Sequence, residues 1–85
     1  MMTIRDLRKQ INTIDDDIRR LFLLRLDLSR QIGDLKRELD LPIYDPKREQ
    51  EILKHQRQMI NNDALWIYFK PLYEKILEIS KQVQE

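Results

Sequence analysis

The stretch Thr3–Asp40, TIRDLRKQINTIDDDIRRLFLLRLDLSRQIGDLKRELD, decides the fold. Apolar residues recur in it at Ile4, Leu7, Ile11, Ile14, Ile18, Leu21, Leu24, Leu28, Ile32, Leu35 and Leu39, always three or four apart. That spacing keeps them on one face of a helix along its whole length. No proline interrupts the run. The single glycine, Gly33, sits late in it, where close packing against a neighbour is one reason for its presence. At about 1.5 Å per residue the helix is roughly 55 Å long, about twice the width of a compact domain of this size. Such a helix cannot bury its own seam.

Cations stand on or beside that seam. Arg8 lies between Leu7 and Ile11, Arg25 one turn from Leu21 and Leu28, and Lys36 one turn after Ile32. A purely structural coiled coil fills these positions with apolar side chains. Charges taken out of water need anions. The cluster Asp15, Asp16 and Asp17 is far from Arg25 and Lys36, and Asp27 and Asp34 point to other sides, so a bound anion is the economical partner. Arg25 and Lys36 are three turns apart on one side of the helix, roughly 16 Å, a gap two long side chains can close around one small molecule. Arg8 is about 25 Å further back along the axis and turned away. It can join such a site only from another copy of the chain, as an antiparallel pairing of two long helices would allow.

The rest of the composition narrows the field. Eighty-five residues make one domain, residues 1–85, small enough that a homo-oligomer is expected. Sixteen Lys plus Arg stand interspersed against fifteen Asp plus Glu, which argues against nucleic acid or an anionic membrane as the main partner. With no cysteine and only His55, there is no thiol nucleophile, no disulfide and no metal cluster to expect. No apolar run approaches membrane-spanning length and nothing resembles a signal peptide, so the expected compartment is the cytoplasm.

Helical spacing stops at Asp40-Leu41-Pro42-Ile43-Tyr44. Asp45 then serves as N-cap and Pro46 as first residue of a second helix carrying Arg48, Glu49, Ile52, Leu53, Met59 and Ile60, which stops at Asn61-Asn62-Asp63. Asn62 or Asp63 caps a third helix with Leu65, Tyr68, Phe69, Leu72, Tyr73, Ile76, Leu77, Ser80 and Val83 at helical spacing. Pro71 is expected to bend or break it near Ile67 to Lys70. No strand pattern and no repeat occurs, so the fold class is all-α, a three-helix protomer with one long N-terminal helix.

The ordered set Leu7-Arg8-Lys9-Gln10-Ile11-Asn12-Thr13-Ile14-Asp15, Arg25 with Leu28, Gly33 with Lys36, Pro42-Ile43-Tyr44-Asp45-Pro46-Lys47-Arg48-Glu49 and Ile76-Leu77-Glu78-Ile79-Ser80 with Gln84 resembles the all-helical chorismate mutases over nearly the whole chain. The resemblance implies an intertwined homodimer that rearranges chorismate to prephenate without a cofactor. It also implies roles. Arg8 resembles the arginine given by the partner subunit to a substrate carboxylate, and Arg25 the arginine gripping a carboxylate from within the subunit. Lys36 resembles the lysine on a carboxylate and the ether oxygen, a position Gln84 shares. Arg48 and Glu49 match the pair opening helix two, with Glu49 and the Asp45 backbone toward the substrate hydroxyl, and Ser80 belongs with Gln84 on helix three. Lys81 departs from the pattern. It stands where an apolar pocket residue is expected, and either points outward or adds a cation near the substrate.

The chemistry agrees with these roles, since a pericyclic rearrangement of a dianion needs positioning and charge but neither nucleophile nor proton shuttle. Each residue also has a plainer reading. Arg8, Arg25 and Lys36 singly could be snorkelling flank residues, Glu49 a carboxylate favouring a helix N-terminus, Asp45 a cap, Ser80 a small packing residue and Gln84 a solvated residue in a fraying last turn. Two rival functions stay open. A lyase of the same fold would split isochorismate into salicylate and pyruvate, and Glu49 beside Arg48 together with Ser80 resembles the mutase better. The other is a regulatory helical module without activity, attached to or partnering a larger shikimate-pathway enzyme.

Overall fold

A computed structural model describes residues 1–85 as three helices and no strand: α1 (Ile4–Glu38), α2 (Pro46–Ile60) and α3 (Asp63–Gln84). Each begins on a side-chain cap. The Asp6 N–H donates to Thr3 Oγ1 at 3.2 Å while Asp6 Oδ2 accepts from the Thr3 N–H at 3.0 Å, a reciprocal pair at the start of α1. The Thr3 N–H, and then its hydroxyl, hold the Asp6 carboxyl below its usual range. Asp45 Oδ1 accepts from the Arg48 N–H at 3.1 Å with Pro46 next in line, and Asn62 Oδ1 accepts from the Leu65 N–H at 3.2 Å. Asp40 and Asn61 take left-handed backbone, φ 55° and 46°, where α1 and α2 stop. Both are residue types that tolerate it.

Of the bend or break expected near Ile67 to Lys70, the break does not occur: α3 runs unbroken from Asp63 to Gln84 through Pro71. Proline removes the bond to the Ile67 carbonyl and its ring crowds that oxygen, but Ile67 is on the exposed side of the helix, where water can take it.

The chain folds back twice. Arg25 meets Ser80, and Gly33 meets Gln84, so α3 runs beside the C-terminal half of α1 in the same direction. Between them in sequence, α2 is antiparallel to α3 and packs on it rather than on α1. The resulting body measures 58 × 26 × 15 Å, its long axis set by α1. No helix is long and apolar enough to cross a membrane.

One chain buries little. Trp66 and Leu77 are its only buried large apolar side chains, whereas Ile4, Ile11 and Ile18 of the α1 seam are 69%, 53% and 59% exposed. An apolar groove of about 500 Å³ runs between α1 and α3, lined among others by Ile18, Leu21, Phe22, Phe69, Leu72 and Ile76. A face this large and this apolar is the kind that soluble chains cover with another surface.

Candidate active site

The last turns of α1, the first turn of α2 and the last turns of α3 converge, and the closest approach is set by a missing side chain. A Cβ on Gly33 would lie 2.6 Å from Gln84 Cα and 2.8 Å from the Gln84 carbonyl oxygen. Glycine therefore lets the end of α3 rest on the backbone of α1. Arg37 completes the join. Its Nη1 donates to the Gln84 carbonyl at 2.7 Å and the Glu85 carbonyl at 3.4 Å, oxygens that have no partner within the helix. Gln84 is buried and belongs to an ordered helix end, so the solvated, fraying reading does not hold. Gly33→Ala is expected to push this turn off α1 and to destabilise the chain by about 1–3 kcal/mol, the usual cost of overpacking. Thermal melting against the unsubstituted chain checks it. An unchanged midpoint would mean the helix ends separate freely.

Two polar clusters lie on the α1–α3 contact. In the first, Arg25 Nη1 donates to Ser80 Oγ, and Ser29 Oγ sits 3.2 Å from the same oxygen. Ser29 and Ser80 are both buried. A hydroxyl has two acceptor sites and one donor, so Ser80, accepting from both, keeps its own O–H free to donate. The Arg25 guanidinium carbon also lies 5.8 Å from the Tyr73 ring centre, which helps to fix the fork. In the second cluster Lys36 Nζ donates to the Ile43 carbonyl at 2.8 Å and to Gln84 Oε1 at 3.0 Å. An ammonium has three N–H bonds, so one remains. With its oxygen taken by Lys36, the Gln84 amide keeps its –NH₂ for another acceptor.

None of Arg25, Lys36 and Arg48 is paired with a carboxylate. Asp27 goes to Arg30, Asp34 to Arg30 and Arg37, and Asp16 and Asp17 to Arg19 and Arg20. The Asp27 carboxyl is held below its usual range first by Arg30 and then by Gln31, which shows where that charge is spent. On the α2 side, Asp45 Oδ1 is occupied as the cap. Glu49 Oε2 is shut off from water without a hydrogen-bond donor, and Lys81 Nζ stands 3.3 Å from it, near enough to pair in charge but not aligned to donate.

Between the clusters lies a cavity of about 140 Å³. Arg25, Asp45, Arg48, Glu49, Ser80 and Gln84 line it, with Lys36 behind Gln84. Arg8 is exposed on the part of α1 that α3 does not reach, and it takes no part in the cavity of its own chain. Pockets for small ligands usually measure about 300–1,000 Å³, so this cavity is smaller than most. Sequence reading missed Ser29, although it stands one turn after Arg25. It also does not identify the apolar walls Ile32, Ile43, Ile52 and Leu77, of which Ile32 stands out only as a seam residue and Ile52 and Leu77 only as helical apolar positions. Lys81, open between two orientations, lines the cavity.

Comparison with known proteins places the chain in a family. The family model for chorismate mutase type II matches residues 7–85. A bifunctional chorismate mutase/prephenate dehydratase of Aquifex aeolicus is 35% identical over 98% of this chain and 17% of its own length. A chorismate mutase of Methanocaldococcus jannaschii is 35% identical over 64% of this chain and 54% of its own. A 3-dehydroquinate dehydratase of Pyrobaculum aerophilum is 31% identical over 92% of this chain and 23% of its own. Among solved structures, a conserved hypothetical protein from Pyrococcus furiosus is 41% identical, with a TM-score of 0.82 over 100% of this chain and 99% of that one. The chain thus spans about a sixth of the Aquifex protein and about half of the Methanocaldococcus one. A match running from residue 7 to residue 85, on a three-helix fold with cations gathered at one end, makes this chain a member of the type II chorismate mutase family.

Proposed function

We propose that residues 1–85 form a chorismate mutase domain that rearranges chorismate to prephenate without a cofactor, in the biosynthesis of phenylalanine and tyrosine. The observation that carries the reading is the Lys36–Gln84 pair, an ammonium and a neutral amide 3.0 Å apart, each with donors left over and the ammonium in no ion pair. In the reaction the ether C–O bond of the enolpyruvyl arm breaks as a C–C bond forms, and negative charge builds on the ether oxygen. Fixed donors aimed there stabilise the transition state more than the substrate. The free N–H of Lys36 and the –NH₂ of Gln84 are the donors proposed for that oxygen. Arg25, with Ser80 O–H beside it, takes one carboxylate through its planar fork, and Arg48 stands over the same cavity.

Charge supports a dianion. Arg25, Lys36, Arg48 and Lys81 against Asp45 and Glu49 leave two positive charges in excess at the cavity. The substrate's two carboxylates balance them, and an Arg8 brought in from another subunit adds a third positive charge. Glu49 and the Asp45 backbone face the substrate hydroxyl in this reading. Holding the arm over the ring removes conformational freedom before the barrier is met.

The working form is an intertwined homodimer in which each α1 seam is covered by the partner's and Arg8 crosses to complete the other subunit's site. The exposed seam, the groove of about 500 Å³ and the undersized cavity of a single chain all support it. Association with another shikimate-pathway enzyme is supported by the bifunctional Aquifex relative.

The test is direct. Purified chain added to chorismate, without metal or cofactor, should give saturable loss of ultraviolet absorbance with prephenate as product. Salicylate and pyruvate from isochorismate would assign the lyase, and no turnover of either would leave a regulatory module.

A further inference from the structure

We propose that Lys81 is a positioning residue of this site, holding the Glu49 carboxylate in the orientation that receives the substrate's ring hydroxyl. The inference rests on the mutase reading above and adds to it a residue that the reading does not require. Lys81 follows Ser80 by one position, about 100° around α3, which turns it from α1 toward the start of α2. There Nζ stands 3.3 Å from Glu49 Oε2 and 4.7 Å from the Tyr44 ring centre.

The pair differs from the other ion pairs of the chain. Those join residues close in sequence, and their side chains are about half exposed or more. Lys81 and Glu49 join α3 to α2, with side chains 33% and 24% exposed, so water and salt screen them less. Lys81 also completes a staple on the α1–α2 connection. Lys36 binds the Ile43 carbonyl and the Lys81 ammonium lies over the ring of the next residue, Tyr44. A lysine at this point therefore fixes both the carboxylate and the loop leading into the helix that carries it. With Oε2 held by Lys81, Oε1 is the oxygen left to accept from a ligand hydroxyl. Without Lys81, Oε2 is a buried oxygen with neither donor nor counter-charge, and the side chain gains by turning toward water.

Lys81→Met keeps an unbranched stem and removes the charge. Its kcat/KM on chorismate should fall about tenfold, the scale of one charge-assisted hydrogen bond. In a Glu49→Gln background the same change should cost less than about twofold, because the two residues act as one. Lys81→Arg should restore most of the loss. Competitive inhibition by a chorismate analogue lacking the ring hydroxyl should be unchanged in Lys81→Met, a readout that general loosening of the fold would not spare. Additive losses in the double variant, or weaker inhibition by the hydroxyl-free analogue, would overturn the proposal and make Lys81 either a direct carboxylate ligand or a structural residue. Failure of the unsubstituted chain to turn over chorismate would overturn the mutase reading, and this inference with it, before any variant is made.

Discussion

Lys36→Met should lower kcat on chorismate by about 10²–10³, the cost of removing one donor aimed at developing oxyanion charge. Lys36 has two of its three N–H bonds committed, to the Ile43 carbonyl and to Gln84 Oε1, so the third is aimed rather than free to wander. Removing it deletes the charge and also releases the Gln84 amide, whose oxygen would then seek a new donor. The loss should therefore exceed that of Gln84→Ala. Lys36→Arg should not rescue it, because a planar fork cannot reproduce a point donor between a carbonyl and an amide. Steady-state kinetics on chorismate decide the matter. A variant retaining more than about a tenth of the kcat would move charge stabilisation away from this lysine.

Mixing Arg8→Ala and Arg25→Ala chains should restore activity that neither has alone. Each arginine is proposed to hold a carboxylate, and losing one such charge-assisted bond costs about 1.5–3 kcal/mol. If Arg8 crosses to the partner, every site in either pure variant lacks one arginine. Random reassociation makes half the dimers mixed, and in each of those one site has both arginines while the other has neither. Recovery should approach about a quarter of the unsubstituted activity. No recovery after refolding the two together would place Arg8 outside the site or confine the site to one chain.

Much of this architecture can be read in the residues themselves. The seam from Ile4 to Leu39 specifies α1 by its period, and Asp45-Pro46 specifies the start of α2 by capping chemistry. That Arg25 and Lys36 share a side of α1 follows from their separation of three turns, and their want of a carboxylate follows from where Asp27 and Asp34 fall. Contacts between helices were less legible. Lys81 was open between outward and inward because period alone places it on a flank, and only the seat of Glu49 on α2 decides the direction. Gln84 resembles a fraying residue until Gly33 and Arg37 are seen to pin it, since a glycine in a helix does not announce which neighbour approaches it. For Pro71 the residues leave bend and break both open, because the lost bond is visible in them and the water that can replace it is not.

The parallel run of α1 and α3 has a consequence for how the catalyst comes into being. Ser80 meets Arg25 across 55 residues, and Gln84 meets Lys36 across 48, in a chain of 85. Closing loops of that length costs about 2 kcal/mol more than closing a single helical turn, and nothing local rewards the closure. Helices α1 and α2, capped from within, can form long before that. Refolding should then show two separable signals, with circular dichroism recovering first and turnover later, and only the later one slowing as the chain is diluted. Coincident recovery would mean that helix and site form in one step. A chain caught between the stages has its helices and no pocket, so helical content by itself is no measure of how much enzyme is present.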